Sequence, residues 1–272
     1  MDQRYLMTPN KPNNSPQTVE RALNILEYIV DMQKPLGVLE LSDKLNLNKS
    51  TIYRILQALV SKGYLHQRAE DSKYCVGYKI LELNTKIIRN LGLRQVSVSA
   101  MEKLAQKAKE TVALGVIDQR GVVYVDQIGG EEDRVRIHFR MGVHMPFHST
   151  GAGKAALAFF PQEERDAILS NYKLEKFTKN TITNIGSLHK ELKEIRQKGY
   201  SFNDGETQEM VRVVGAPIFD SQNKVVGSIV LAALTNRFAL EQVPTFGKLV
   251  LKAAMEISNN LGCGKDCHIS SK

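Results

Sequence analysis

A run of hydrogen-bond donors stands between residues 49 and 57, directly after the turn-forming residues 46–48. Such side chains donate to phosphate oxygens and base edges, which is the chemistry of nucleic-acid recognition. The donors are Lys49, Ser50, Thr51, Tyr53, Arg54 and Gln57. Apolar residues recur among them at the spacing of one helical face. We therefore predict a helix that buries its apolar stripe and presents residues 49–54 to the major groove of DNA.

Two other helices must hold that recognition helix in place. Apolar residues at helical spacing between Val19 and Val30 predict a first helix of about fourteen residues. Leu41 and Leu45 lie one turn apart and predict a second, and Gly63 ends the third. The order of short helix, tight turn and donor-bearing helix is that of a helix-turn-helix.

A hairpin is predicted after the third helix, from residues 64–68 and 74–76 on either side of a polar turn. It forms the wing of a winged helix-turn-helix domain over residues 18–78, with Arg68 and Lys73 near the phosphate backbone. The alternatives are a small helical domain whose outer face is polar for solubility alone, and a scaffold that binds protein instead of DNA.

The chain beyond the wing predicts a connecting helix over residues 79–95 and then an antiparallel α+β domain over residues 96–262. Apolar residues of the connecting helix alternate with charges at helical spacing. Predicted strands cover Val112–Ile117, Val122–Ile128, Val211–Phe219 and Val225–Leu234. Predicted helices cover Gly153–Phe160, Glu163–Ser170, Ser187–Gly199 and Glu241–Leu261. Strands and helices mix without strict alternation, which argues against a doubly wound sheet.

A glycine-containing turn runs into the first of those helices at Thr150-Gly151-Ala152-Gly153. The start of a helix presents free backbone N–H groups and a positive dipole end, so a small carboxylate could bind there. The alternative is that both glycines only permit a tight packing turn.

Composition sets wider limits on the 272-residue chain. The formal net charge is +8, divided as +2 up to Tyr78 and +6 beyond it, so the DNA-binding prediction does not rest on bulk charge. Three cysteines are too few to staple a secreted fold, and no run of about 18 apolar residues occurs. We expect a cytoplasmic protein with no membrane segment, a disordered tail over residues 1–17 and a C-terminal tail over residues 263–272.

Motifs of enzymes are incomplete. Lys154 follows Gly153 but precedes alanine, so the phosphate loop that ends in Gly-Lys-Ser/Thr is absent. His148 and Ser149 lack the Gly-x-Ser-x-Gly elbow of a hydrolase, and a structural histidine is the favoured interpretation. We predict no enzymatic activity and no cofactor.

Two clusters have the residue types of metal sites. Asp204, Glu206 and Glu209 could suggest a metal or acid/base site, but a solvated acidic loop is the favoured interpretation. The group Cys263, Cys267 and His268 supplies at most three ligands in a predicted tail, so we predict no zinc there.

Several stretches resemble the IclR family of bacterial transcriptional regulators. Residues 41–56, 62–65 and 74–77 resemble its DNA-binding domain, and residues 146–158 and 198–218 resemble two signature stretches of its effector-binding domain. The branch of ketodeoxygluconate regulators is the most similar, through Thr181-Ile182-Thr183 and residues 216–220. The resemblance spans residues 18–262.

The resemblance implies a GAF/profilin-like α+β effector domain and a set of pocket residues. The implied contacts are Thr150, Gly151, Ala152, Asn203, Glu206, Val213, Ala233 and Thr235. Of these, Glu206 matches a common acidic position of the family. The family commonly has an acidic residue at 203, a cysteine at 213 and serines at 233 and 235, so this pocket is expected to be less polar and to take a different or bulkier effector.

The sequence therefore predicts a regulator that binds a double-stranded DNA operator as a homodimer or homotetramer, under the control of a small-molecule effector. We expect a repressor that responds to an organic acid or sugar acid. The alternative is an activator of a catabolic operon with an aromatic or other less polar effector.

Overall fold

The computed structural model describes residues 17–83, 92–118, 120–129, 136–170 and 172–264. The chain divides into two compact units, one up to Asn90 and the other from Leu91. Of the predicted connecting helix over residues 79–95, residues 79–83 are helical and residues 84–91 lie outside the described residues. Residues 92–95 belong to a helix of the second unit that continues to Ala108, so the predicted boundary at residue 96 falls inside that helix.

The first unit is a three-helix domain with a hairpin, as predicted. Its elements are α1 (Gln17–Met32), α2 (Val38–Leu45), α3 (Lys49–Ser61), β1 (Leu65–Gln67) and β2 (Tyr74–Val76). The strands pair antiparallel, with Leu65 opposite Val76. One apolar core joins all five elements, because Ile25, Leu41, Ile52, Leu65 and Tyr74 are all buried in it.

The turn between α2 and α3 explains why these two helices meet at a fixed angle. Asn46 takes the left-handed conformation with φ 52°, which asparagine tolerates better than most residues. The Leu47 N–H donates to the Ser42 carbonyl at 3.2 Å, and the Ser42 hydroxyl donates back to the Leu47 carbonyl at 2.6 Å. Both ends of the turn are thereby fixed.

The second unit is an α+β domain built on one antiparallel sheet. Its strands are β3 (Thr111–Asp118), β4 (Gly121–Ile128), β5 (His144–Met145), β6 (Ser201–Asp204), β7 (Val211–Phe219) and β8 (Val225–Leu234). They lie in the order β5-β4-β3-β8-β7-β6. The helices are α4 (Gly92–Ala108), α5 (Gly151–Phe159), α6 (Gln162–Ser170), α7 (Ile185–Lys198) and α8 (Val243–Asn260), with a 3-10 turn at Leu240–Gln242. The predicted α+β class is confirmed.

Each face of the sheet is covered by its own set of helices. Helices α5, α6 and α7 pack on one face, and α4 and α8 pack on the other. Neighbouring residues of a strand point to opposite faces. Val213 therefore belongs to the α5 side and Val214 to the α8 side.

Helix α5 lies unusually close to β7, which brings its first turn down onto the sheet. A Cβ atom on Gly215 would come within 2.9 Å of the Gly151 carbonyl oxygen, so only glycine fits there. The Ser201 hydroxyl donates to the same carbonyl at 2.6 Å. This close approach fixes the start of α5 against β6 and β7.

Candidate nucleic-acid interface and ligand pocket

The exposed face of α3 carries the predicted DNA contacts. Lys49, Ser50, Tyr53 and Arg54 are exposed and Thr51 is half-buried, whereas the apolar stripe of the helix is buried in the domain core. The first turn of α3 contains no acidic residue. The positive end of the helix dipole and the donor side chains thus face the same way, which suits an anionic duplex.

The two cations predicted on the wing already have partners within the first unit. The Arg68 guanidinium contacts Glu70 at 2.5 Å and Asp71 at 3.5 Å, and Lys73 Nζ lies 3.5 Å from Glu40. The hydrogen bond to Glu70 raises the pKa of Arg68 above its ordinary value. A phosphate would have to compete with these exposed ion pairs, which solvent and salt weaken.

A small pocket lies at the start of α5, between that helix, the sheet and the segment around residue 139. Its volume is about 80 Å³, well below the several hundred Å³ of sites for drug-sized ligands. Its described lining residues are Tyr124, Ile137, His138, Phe139, Arg140, Met145, Thr150, Gly151, Asn203, Thr207, Gln208, Val211 and Val213. None of them carries a carboxylate, and Arg140 is a cation, so the described lining favours an anion.

Four of the eight residues implied by the family resemblance line this pocket: Thr150, Gly151, Asn203 and Val213. Thr150 is the N-cap of α5, where its hydroxyl oxygen accepts the Gly153 N–H at 3.0 Å. The N–H groups of Gly151 and Ala152 belong to the first turn and have no intrahelical acceptor. The predicted helix start is thus present at the pocket.

Asn203 fixes the segment that leads into α5. Its side-chain amide donates to the Ser149 carbonyl at 2.5 Å, and its side-chain oxygen accepts the Glu206 N–H at 2.9 Å. Thr207 donates to the same Ser149 carbonyl at 2.6 Å. A carboxylate at position 203 could not make the donor half of this arrangement, which accounts physically for asparagine here.

Glu206 lies outside the described pocket lining and is buried against Lys154. The Lys154 ammonium, only 1% exposed, donates to Glu206 Oε1 at 2.5 Å, to the Phe202 carbonyl at 2.7 Å and to Glu191 Oε1 at 3.1 Å. Burial raises the pKa of Glu206 and the lysine opposes that rise. The prediction of a solvated acidic loop is therefore wrong for Glu206.

The other two carboxylates of that cluster point elsewhere. Asp204 pairs with Arg212 at 2.6 Å, and Glu209 is exposed. In the part of the chain that the structure describes, no group of three potential metal ligands is assembled. Cys267 and His268 lie outside that part.

Neither of the two residues implied at the end of β8 is part of the described pocket lining. Ala233 packs on the α8 side of the sheet, whereas Val230 and Ala232 face the α5 side. The backbone N–H of Thr235 donates to the Met210 carbonyl at 2.9 Å, beyond the end of β8. Ala152, in the first turn of α5, is buried, and its carbonyl accepts the Ser228 hydroxyl at 3.0 Å.

Sequence patterns alone missed much of the pocket wall. Val211 and Val213 are two apart on β7 and line the pocket together, so the period of two could have identified Val211. On β4, Tyr124 likewise comes two residues after Val122, and both side chains face the α5 side of the sheet. Ile137, Phe139 and Arg140 come from an irregular segment, for which no periodic signal exists.

His148 is buried and is not part of the described pocket lining. Its Nε2 atom lies 2.9 Å from the Glu175 carbonyl, and its ring packs near Tyr172 and Phe177. Burial lowers its pKa below the ordinary value. This position suits the predicted structural role.

No helix among the described residues is both long enough and apolar enough to cross a membrane.

Comparisons with known proteins agree with both units. Residues 18–69 match the family model described as the IclR helix-turn-helix domain, and residues 85–259 match that described as the bacterial transcriptional regulator IclR C-terminal domain. The HTH-type transcriptional regulator KdgR of Escherichia coli is 30% identical over 253 residues, covering 93% of this chain and 95% of that protein. The transcriptional repressor IclR of Escherichia coli is 28% identical over 244 residues, 89% of each chain.

A solved structure shows the same architecture. The crystal structure of Thermotoga maritima IclR aligns with a TM-score of 0.76 and 31% identity, covering 90% of this chain and 98% of that one.

Proposed function

Because this chain belongs to the IclR family of DNA-binding transcriptional regulators, we propose that it is a repressor whose binding to an operator is controlled by a small organic acid. The observation that carries the proposal is the separation of two sites. The first unit presents an exposed, donor-rich helix, and the second contains a small pocket at a helix N-terminus.

The DNA-binding part of the proposal assigns base contacts to α3 and phosphate contacts to the wing. Lys49, Ser50, Thr51, Tyr53 and Arg54 would read the major groove. Arg68 and Lys73 would exchange their exposed carboxylate partners for phosphates. In this proposal the DNA-binding domain extends over residues 18–78, and the segment from residue 79 connects it to the second unit.

Oligomerisation completes this arrangement. One recognition helix covers only a few base pairs, so two copies on one face of the duplex would supply the affinity of an operator site. We therefore propose a homodimer or homotetramer. We propose that it acts in the cytoplasm.

The effector part assigns a carboxylate to the start of α5. Gly151 lines the pocket there, the first-turn N–H groups lack intrahelical acceptors, and Arg140 adds positive charge. The resemblance to the branch of ketodeoxygluconate regulators favours a sugar acid. The apolar walls of the pocket favour a less polar acid, and with it the alternative of an activator of a catabolic operon.

Control of DNA binding follows if the acid binds one relative placement of the two units better than another. Such couplings are typically about 1–3 kcal/mol. An effector would then change operator affinity by roughly 5-fold to 150-fold.

A gel-shift titration tests the proposal. The full chain is titrated onto DNA from immediately upstream of its own gene, at two salt concentrations and with excess random-sequence competitor. We expect a shift that survives competitor and weakens by about 0.9 log units per tenfold salt for each phosphate released. Binding that stays the same at both salt concentrations would favour a protein-binding scaffold.

The same titration distinguishes repressor from activator when transcription is measured in parallel. A repressor lowers transcription from the bound promoter until an acid releases it. A rise in transcription on binding would support the activator instead.

A further inference from the structure

The hydroxyl group of Tyr124 is an unused hydrogen-bonding group in the ligand pocket. Tyr124 is only 3% exposed, yet its hydroxyl has no hydrogen-bond partner in the part of the chain that the structure describes. Desolvation alone raises the pKa of this phenol, with no hydrogen-bond contribution. Buried polar groups are normally paired, so an unpaired one in a pocket points to a missing partner.

The hydroxyl is also open to the pocket. Some buried polar atoms of the described residues have neither a hydrogen-bond partner nor exposure to solvent, and these include His148 Nδ1 and Ser149 Oγ. The Tyr124 hydroxyl is not one of them. Its ring is held by Phe139, with ring centroids 4.5 Å apart, and both residues line the pocket. The phenol is therefore fixed in position and accessible to a ligand.

Apolar side chains form part of the pocket wall beside these polar groups. The side chains of Ile137, Met145, Val211 and Val213 form walls that offer no hydrogen bond. The amide of Asn203 is already engaged by Ser149 and Glu206. A ligand hydroxyl placed against these four side chains would stay unpaired, at a free-energy penalty.

We propose that Tyr124 is a specificity-determining residue of the effector pocket, which selects a small carboxylic acid bearing one further oxygen, as a hydroxyl or keto group, on an otherwise apolar skeleton. The carboxylate binds at the start of α5 and the second oxygen hydrogen-bonds to the Tyr124 hydroxyl. The inference rests on the proposed effector site, and it favours a sparsely hydroxylated acid over a polyhydroxylated sugar acid.

Matched acids test the inference on the full-length protein by calorimetric titration. The probes are 4-hydroxybenzoate against benzoate, and 4-oxopentanoate against pentanoate, with gluconate as the polyhydroxylated acid. For at least one pair we expect the oxygenated member to bind about tenfold more tightly, the typical effect of one well-placed hydrogen bond. Gluconate should bind more weakly than that member.

Tyr124→Phe removes only the hydroxyl. We expect the preference within the pair to fall to about twofold or less, because the deoxy acid loses nothing in the variant. The ligand-free variant should melt no lower than the wild type, since no hydrogen bond is lost. A merely structural hydroxyl would lower the melting temperature instead.

Tyr172→Phe is the matched control, because its hydroxyl oxygen accepts the Phe147 N–H at 2.9 Å and Tyr172 is not part of the described pocket lining. This variant should melt lower and keep the preference. The inference is overturned if Tyr124→Phe retains the preference, if gluconate binds best, or if no oxygenated acid of the panel binds at millimolar concentration. Operator binding in the gel shift would still stand in each case, so failure of the regulator proposal remains distinguishable.

Discussion

Replacing Lys154 by methionine tests the buried charge cluster that holds α5 onto β6 and α7. The ammonium of Lys154 makes three contacts, to Glu206, Glu191 and the Phe202 carbonyl. Methionine fills a similar volume but makes none of them. The variant therefore leaves Glu206, which is 5% exposed, without its cation.

The expected loss of stability is large. Breaking a buried ion pair by removing one partner destabilises a protein by about 3–5 kcal/mol. A unit of this size loses about 2–4 °C in Tm per kcal/mol, so the Tm should fall by roughly 6–20 °C. The double variant Lys154→Met/Glu206→Gln should recover part of that loss, because no buried charge then remains unpaired.

The loss should also depend on pH. Burial raises the pKa of Glu206 above 4.5, and removing Lys154 takes away the charge that opposes this rise. A carboxyl with a raised folded-state pKa stabilises the fold below its unfolded pKa, and that stabilisation disappears as the pH rises through the folded value. The difference in Tm between the wild type and Lys154→Met should therefore grow from acidic to neutral pH.

Differential scanning calorimetry at several pH values measures these effects. Lys198→Met is the matched control, because Lys198 makes an exposed pair with Glu194 at 3.2 Å and should change the Tm little. A Tm for Lys154→Met within the error of the wild type, or a double variant no more stable than the single one, would refute the reasoning.

Three further predictions concern the two sites. Arg54→Ala should weaken operator binding and lower the salt slope by at most about one, measured by fluorescence anisotropy, while acid binding stays unchanged. Gly151→Val should abolish acid binding in calorimetry but keep operator binding, because even a Cβ at 151 comes within 2.9 Å of Val213 Cγ1. Asn203→Asp should lower stability by about 1–3 kcal/mol and weaken acid binding, since its oxygens would face the Ser149 carbonyl without a donor.

Matched variants separate these effects from general damage. Lys62→Ala removes a charge from the far end of the recognition helix and should leave sequence-specific binding intact. If Arg54→Ala or Gly151→Val lost both activities in a folded protein, the assignment of one site to each unit would fail.

The sequence alone was sufficient to predict the elements with strong periodicity. The hairpin Val211–Phe219 and Val225–Leu234 was predicted with its observed bounds, and the predicted helices of the second unit end within two residues of the observed ones. These segments carry long apolar patterns with clear breaks. Strand β5, with two residues, and β6, with the sequence Ser-Phe-Asn-Asp, are too short or too polar to give such a signal.

The pocket was harder to predict because it forms only when distant segments meet. The family resemblance identified Thr150, Gly151, Asn203 and Val213, but not Tyr124 or the residues around 139. Register matters as well, since a shift of one residue along a strand turns a side chain to the other face. Ala233 and Ala232 on β8 show this directly.

The central claim is that the first unit reads a DNA sequence through α3, and a selection from random-sequence duplex DNA tests it most directly. The full-length chain and the Arg54→Ala variant are carried through the same rounds, with and without the acids named above. We predict that the wild type enriches one motif, that binding to it weakens steeply with salt, and that Arg54→Ala fails to enrich the same motif. Failure of the wild type to enrich any motif under every condition would contradict the account.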